Sequence, residues 1–197
     1  MAIAINGSSN TITGVAVGGL PDGIVDTDML AAGAVTAAKA SERVKGIQEF
    51  DEWRINSGFN FSSLTLVDSN WERNDTYFEK KGTGFSAPSS GVWTFPSTGK
   101  WLIRWQTNFE SGSISWVGPL IYATNDNSSY ISIACQFTSI RNTNNSFGGA
   151  DCQVIFDVTD VSTHKIKLYV NSSGSNYCQA DSAQQRTGVN FIRLGDT

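Results

Sequence analysis

The sequence predicts a mainly β protein. An antiparallel jelly-roll sandwich over residues 49–197 is preceded by an extended, Ala/Gly/Val-rich segment over residues 1–48. Three observations predict it. From Trp101 to Phe109 the chain alternates, with Trp101, Ile103, Trp105, Thr107 and Phe109 on one side and Leu102, Arg104, Gln106 and Asn108 on the other. A period of two is that of a strand with one face in a core. Similar runs follow between turn signals, giving about eight to ten strands, the number a two-sheet sandwich uses. Finally, the 6 Trp, 5 Tyr and 11 Phe all lie from Phe50 onward, so the first 48 residues lack the groups that fill a core.

The N-terminal segment opens with Ile3 and Ile5 alternating with alanines, then a turn at Asn6-Gly7. A second strand is expected over Thr11–Val17, carrying Ile12, Val15 and Val17. Gly18-Gly19 and Pro21-Asp22-Gly23 break the chain again. Asp26 or Thr27 is placed to cap a short helix within residues 26–40, which Gly33 interrupts. A segment this poor in large side chains needs company, either copies of itself or a larger body to lie on. Ile3, Ile5, Ile12, Val15 and Val17 are its candidate anchor. Residues 41–52 form a charged join to the domain.

Strands are then expected over Phe59–Val67, Tyr77–Lys81, Gly91–Phe95 and Trp101–Phe109. Ser113–Thr124 contains Pro119, which implies a bulge or an edge position. In Tyr130–Ile140 the alternation puts Ile131, Ile133, Cys135 and Phe137 on one face. Cys152, Val154, Phe156 and Val158 share a face of the next strand, and Ile166, Leu168 and Val170 of the one after it. Gly188–Leu194 is the last strand. Polar loops are expected at residues 125–129, 141–149 and 171–176.

Only 16% of residues are charged and the net charge is −4, which argues against non-specific nucleic-acid binding, since that needs a basic face. No run is long and apolar enough to insert as a membrane helix, and MAIAINGSSN does not read as a signal peptide. Cys135, Cys152 and Cys178 are an odd number, as expected of free thiols, with a Cys135–Cys152 bridge open if their strands are adjacent.

No catalytic set stands out. His164 is the one histidine and has no nucleophile motif beside it. No metal constellation or cofactor motif is present. Asp126 between Asn125 and Asn127 lacks the oxygen count of a calcium shell. The acids Glu49, Asp51 and Glu52, and the pair Glu72 and Asp75, read as solvated charge groups at a join and a turn. The loops offer amides and hydroxyls beside aromatics, a composition suited to glycan or protein contact. The candidates are Asn125, Asp126, Asn127, Tyr130, Arg141, Asn144, Asn171, Asn176 and Tyr177. Solubilising loops on a structural knob have the same composition.

The run FSAPSSGVWTFPSTGKWLIRW resembles the signature of the tumour-necrosis-factor-like jelly roll of complement-globular-head type, with Pro96, Gly99, Trp101 and Ile103 at the motif positions. HKIKLYV is similar to that family's penultimate core strand and TGVNFIRL to its last. The likeness spans residues 50–197 and implies a homotrimer. Leu102, Arg104 and Gln106, opposite the core side of their strand, are then the candidate trimer interface. Residues 12–40 resemble segments of bacteriophage fibre and virion surface proteins, and the collagen-like stalk of animal members is absent.

These resemblances imply a homotrimeric phage structural protein, assembled in the host cytoplasm and carried on the virion surface. Residues 1–48 would hold it to capsid or tail proteins, and the knob would project toward a host glycan or protein. The alternatives are a capsid decoration protein that binds no receptor and, further off, a glycan-depolymerising enzyme.

Overall fold

The computed structural model describes residues 4–6, 8, 11–13, 46–75, 77–110, 114–141 and 146–197. The chain divides into two units, Met1–Lys45 and Gly46–Thr197. In the first, β1 (Ala4–Asn6) and β2 (Thr11–Thr13) form an antiparallel hairpin with Ile5 opposite Ile12. Ile3, Val15, Val17 and the helix expected within 26–40 lie outside the described residues.

The second unit contains β3 (Glu49–Ile55), β4 (Phe59–Phe61), β5 (Thr65–Leu66), β6 (Trp71–Arg73), β7 (Val92–Thr94), β8 (Gly99–Glu110) and β9 (Val117–Thr124). It continues with β10 (Ile131–Cys135), β11 (Phe147–Val158), β12 (Lys165–Ser172), β13 (Asn176–Cys178) and β14 (Gly188–Gly195). Among the described residues all regular structure is strand, and every pairing is antiparallel.

One sheet runs β6-β3-β14-β8-β11, with β13 following β14 along β8 and carrying β4. The other runs β10-β9-β12, and β7 and β5 share the far side of β12. The first and last long strands, β3 and β14, are neighbours, which is the long-range pairing of a jelly roll.

Tryptophan and phenylalanine fill the space between the sheets. Trp101, Trp105 and Phe109 are fully buried, as the alternation of β8 requires, and Trp93 of β7 is fully buried as well. Phe85 stacks on Phe191 with ring centres 3.8 Å apart, and Trp53 and Trp71 meet Trp93 edge-on. The Trp105 indole N–H donates to Tyr169 O at 2.9 Å, so one buried donor ties β8 of one sheet to β12 of the other.

Several expectations need correction. Asp51 is not solvated: it is buried, accepting from Phe85 N (2.7 Å), Arg73 Nε (3.0 Å) and Trp53 Nε1 (3.1 Å). Glu72, partly buried, holds the buried Arg54 at 3.1 Å, while Asp75 remains mostly exposed and meets Arg54 from the surface. A buried charge persists only when paired and hydrogen-bonded, and the partners here lie some twenty residues away in sequence, where local reading does not reach. Tyr77–Lys81 forms no strand; it meets β3 through one bridge, Lys81 to Phe50.

Pro119 sits in a strand paired on both sides. Its carbonyl accepts from Gln136 N at 3.2 Å and Val117 bridges Thr138 beyond it, so the chain stays in register past Cys135 and the proline omits one ladder donor toward Gln136. The irregularity falls on β10 instead, between Ser132 and Ala134. It turns Ala134 toward the core opposite Ile121 and sets Cys135 opposite Leu120, so Ile131, Ile133 and Cys135 do not share one face. The loop expected at 171–176 is shorter, because β12 runs to Ser172 and β13 starts at Asn176.

Candidate functional site

The face of the first sheet that points away from the core is built by the second half of each alternation. On β8, every residue flanked by buried Trp101, Ile103 and Trp105 must point outward, which sets exposed Arg104 between half-buried Leu102 and Gln106 there. Register then places Ile192 of β14 opposite Leu102, Phe50 of β3 opposite Ile192, and Ile155 of β11 on the other side of Leu102. The result is an apolar row across four strands, Phe50–Ile192–Leu102–Ile155. Phe78 extends it, its ring 5.6 Å from Phe50. Ile155 at the free end is 60% exposed.

The next row is polar: Glu52, Asn190, Arg104 and Gln153 stand side by side. Glu52 accepts from the side-chain amides of Asn74 and Asn190. Arg104 Nε meets Asp151 Oδ2 at 3.0 Å, and Gln106 donates to Gln185 O at 3.1 Å. Both partners of the Arg104–Asp151 pair are about half exposed, so solvent screens it and it fixes orientation more than stability. The two rows line a shallow cavity of about 590 Å³. Leu102, Arg104 and Gln106, predicted from the alternation, are therefore brought together on one face.

At the side of this face the sandwich is open. Among the described residues β11 pairs only with β8 and β10 only with β9, so their two unpaired edges lie next to each other. Ile133, Val154 and Phe156 pack half-buried against the core there, and Ile131 is 66% exposed. A cavity of about 240 Å³ lined by Ala123, Ile131, Ile133 and Phe156 marks this seam.

The loop candidates do not form one site. Asn125, Asp126, Asn127 and Tyr130 lie at the β9–β10 turn, and Arg141, Asn171, Asn176 and Tyr177 lie toward the opposite end of the strands. Asn144 lies outside the described residues. Asp126 Oδ1 accepts from Thr124 Oγ1 (2.7 Å) and from the N–H groups of Ser128 and Ser129 (both 2.8 Å). These hydrogen bonds, Thr124 first, hold its carboxyl well below the usual range. Asn127 adopts φ 56°, the left-handed turn conformation asparagine tolerates. Asn171 and Asn176 each turn back onto the next residue's N–H, at 2.9 and 2.7 Å, and Asn176 is buried. The Tyr177 hydroxyl lies over Gly58 where a Cβ would stand. Arg141 is exposed.

Among the described residues no group of His, Cys, Asp and Glu is placed to hold a metal, and no helix is long and apolar enough to cross a membrane. All three cysteines are free. Burial pushes the Cys152 and Cys178 thiols up to about 12, while Cys135 is exposed.

The sequence reading missed Phe50, Ile192 and Ile155. A signal was present: each neighbours a residue that alternation sends inward, so each is a large apolar group on an outward position.

No family model and no curated protein matches the chain. Solved structures do. Eiger TNF from S. frugiperda superposes with a TM-score of 0.57 at 13% identity, over 75% of this chain and 93% of that one. Murine APRIL at pH 5.0 superposes at 0.55 and 12% identity, over 74% of this chain and 98% of that one. APRIL at pH 8.5 gives 0.54 at 13%. The fold is thus the tumour-necrosis-factor-like jelly roll.

Proposed function

We propose that this chain is the homotrimeric knob of a surface-displayed assembly, a bacteriophage fibre or spike whose residues 1–48 attach it to capsid or tail proteins. The observation that carries the assembly is the outward-facing apolar row Phe50–Ile192–Leu102–Ile155, half-buried except at exposed Ile155, beside an open apolar seam. Row and seam are different surfaces. A contact between them is head-to-tail, and such contacts close into rings when the rotation allows. Burying the row and the seam of each copy against its neighbours removes both from water. A threefold ring is the common assembly of this fold. The virion location is supported by the likeness of residues 12–40 to phage fibre segments. Three knobs held together make weak contacts with a host surface additive through avidity.

Native mass measurement of the full chain at micromolar concentration tests the assembly. A trimer is expected, and a stable monomer would sink it. Peptide mapping of purified virions tests the location: the chain is expected among the particle proteins of the phage that encodes it.

A further inference from the structure

The second sheet presents a different outward face. On β12, Lys165, Lys167 and Tyr169 alternate with the buried Ile166, Leu168 and Val170. Tyr122 of β9 stands opposite Lys167, and its ring lies 4.6 Å from that of Tyr169. Lys167 Nζ sits 4.1 Å from the centre of the Tyr130 ring. Three tyrosines and a lysine thus form one cationic aromatic platform, each of them half-buried.

Two lysines and two carboxylates, Asp126 and Asp160, lie around it. Neither Lys165 nor Lys167 makes an ion pair among the described residues. Lys165 is only 8% exposed, and its ammonium donates to Thr94 Oγ1 at 3.2 Å and to Val161 O. That leaves one of its three N–H donors without a protein acceptor. The nearby carboxylates are already engaged by their own turns: Asp126 by Thr124, Ser128 and Ser129, and Asp160 by Ser162. Lys167, with no carboxylate partner and seated over the Tyr130 ring beside Tyr122 and Tyr169, suits an anionic ligand with a flat apolar side.

We infer that the platform of Tyr122, Tyr130, Lys167 and Tyr169 binds an acidic carbohydrate of the uronic-acid type, the sugar's C–H face resting on the tyrosines and its carboxylate meeting Lys167. A peptide carboxylate offers the charge without the flat pyranose face, which is why the sugar is favoured. The inference rests on reading the knob as a surface-contact module, and not on its trimeric state.

Calorimetric titration of the full chain at low salt with hexagalacturonate, maltohexaose and hexaglutamate tests it, with the native mass recorded on the same sample. Hexagalacturonate is expected to bind and maltohexaose not. Lys167→Gln and Tyr130→Ala are expected to weaken binding at least tenfold with unchanged circular dichroism. Arg186→Gln, which removes the same charge at a distant site, should leave it unaltered. The inference is overturned if hexagalacturonate does not bind, if Arg186→Gln weakens it as much as Lys167→Gln does, or if hexaglutamate binds more tightly. A monomer that binds hexagalacturonate supports this inference and sinks the trimer; a trimer that does not bind it does the reverse.

Discussion

Ile192 and Leu102 stand directly opposite each other on β14 and β8, on the sheet face turned away from the core. Each follows a fully buried aromatic, Phe191 and Trp101, so the strand geometry gives them no route inward. Leu102→Asp is therefore expected to leave the fold of the single chain intact. It should weaken assembly by ~100-fold or more, the scale of placing a charge in a desolvated contact. Sedimentation against concentration, with circular dichroism as control, measures this. An unchanged association would show that the row is not an interface.

Asp51 anchors the opposite type of feature. Its buried carboxylate takes N–H donors from Trp53, Arg73 and Phe85, joining three stretches of chain. Replacing it by alanine strands those donors and leaves the Arg73 guanidinium without its partner. Asp51→Ala is expected to cost about 3–5 kcal/mol in urea unfolding, as for breaking a buried pair. A loss below about 1 kcal/mol would mean that water replaces the carboxylate freely.

The thiols should divide by burial. Cys135 is exposed, whereas burial holds the thiols of Cys152 and Cys178 protonated, pushed up to about 12. The thiolate is the reactive form. Labelling with a disulfide reagent at pH 8 is expected to show one fast thiol and two that react only on unfolding. Cys135→Ser should remove the fast phase; if a fast phase persists, the core around Cys152 opens more readily than its packing implies.

Asp126 gives an acid-dependent contribution to stability. Its carboxyl lies below its ordinary value because Thr124, Ser129 and Ser128 donate to the charged form. A group depressed on folding stabilises above its unfolded pKa, ~3.9 for aspartate, and the contribution fades as pH falls through the folded value. The urea midpoint should therefore drop below about pH 4. Asp126→Asn should shrink that drop while lowering the midpoint at pH 7. Equal pH dependence in both proteins would place the acid sensitivity elsewhere, with Asp160 and Asp181, also depressed, the next to replace.

By itself the sequence determined the class of fold and its central strand. Period-two alternation of very large side chains has one stable outcome, and β8, the inward residues of β11 and β12, and the closing strand β14 follow from it. It also determined that Leu102, Arg104 and Gln106 face away from the core, because alternation fixes both faces at once. What only the tertiary structure decided is which residues from different strands share a face. The row Phe50–Ile192–Leu102–Ile155, the tyrosines beside Lys167, and the Asp51–Arg73 pair each depend on register between strands distant in sequence. A shift of one residue would send every one of these side chains to the other side of its sheet. The bulge at Ser132–Ala134 makes such a shift within β10 and carries Cys135 away from the face its spacing implied. Pairing of distant strands is set by the whole core, so alternation names the faces of each strand and the assembled sandwich selects their neighbours.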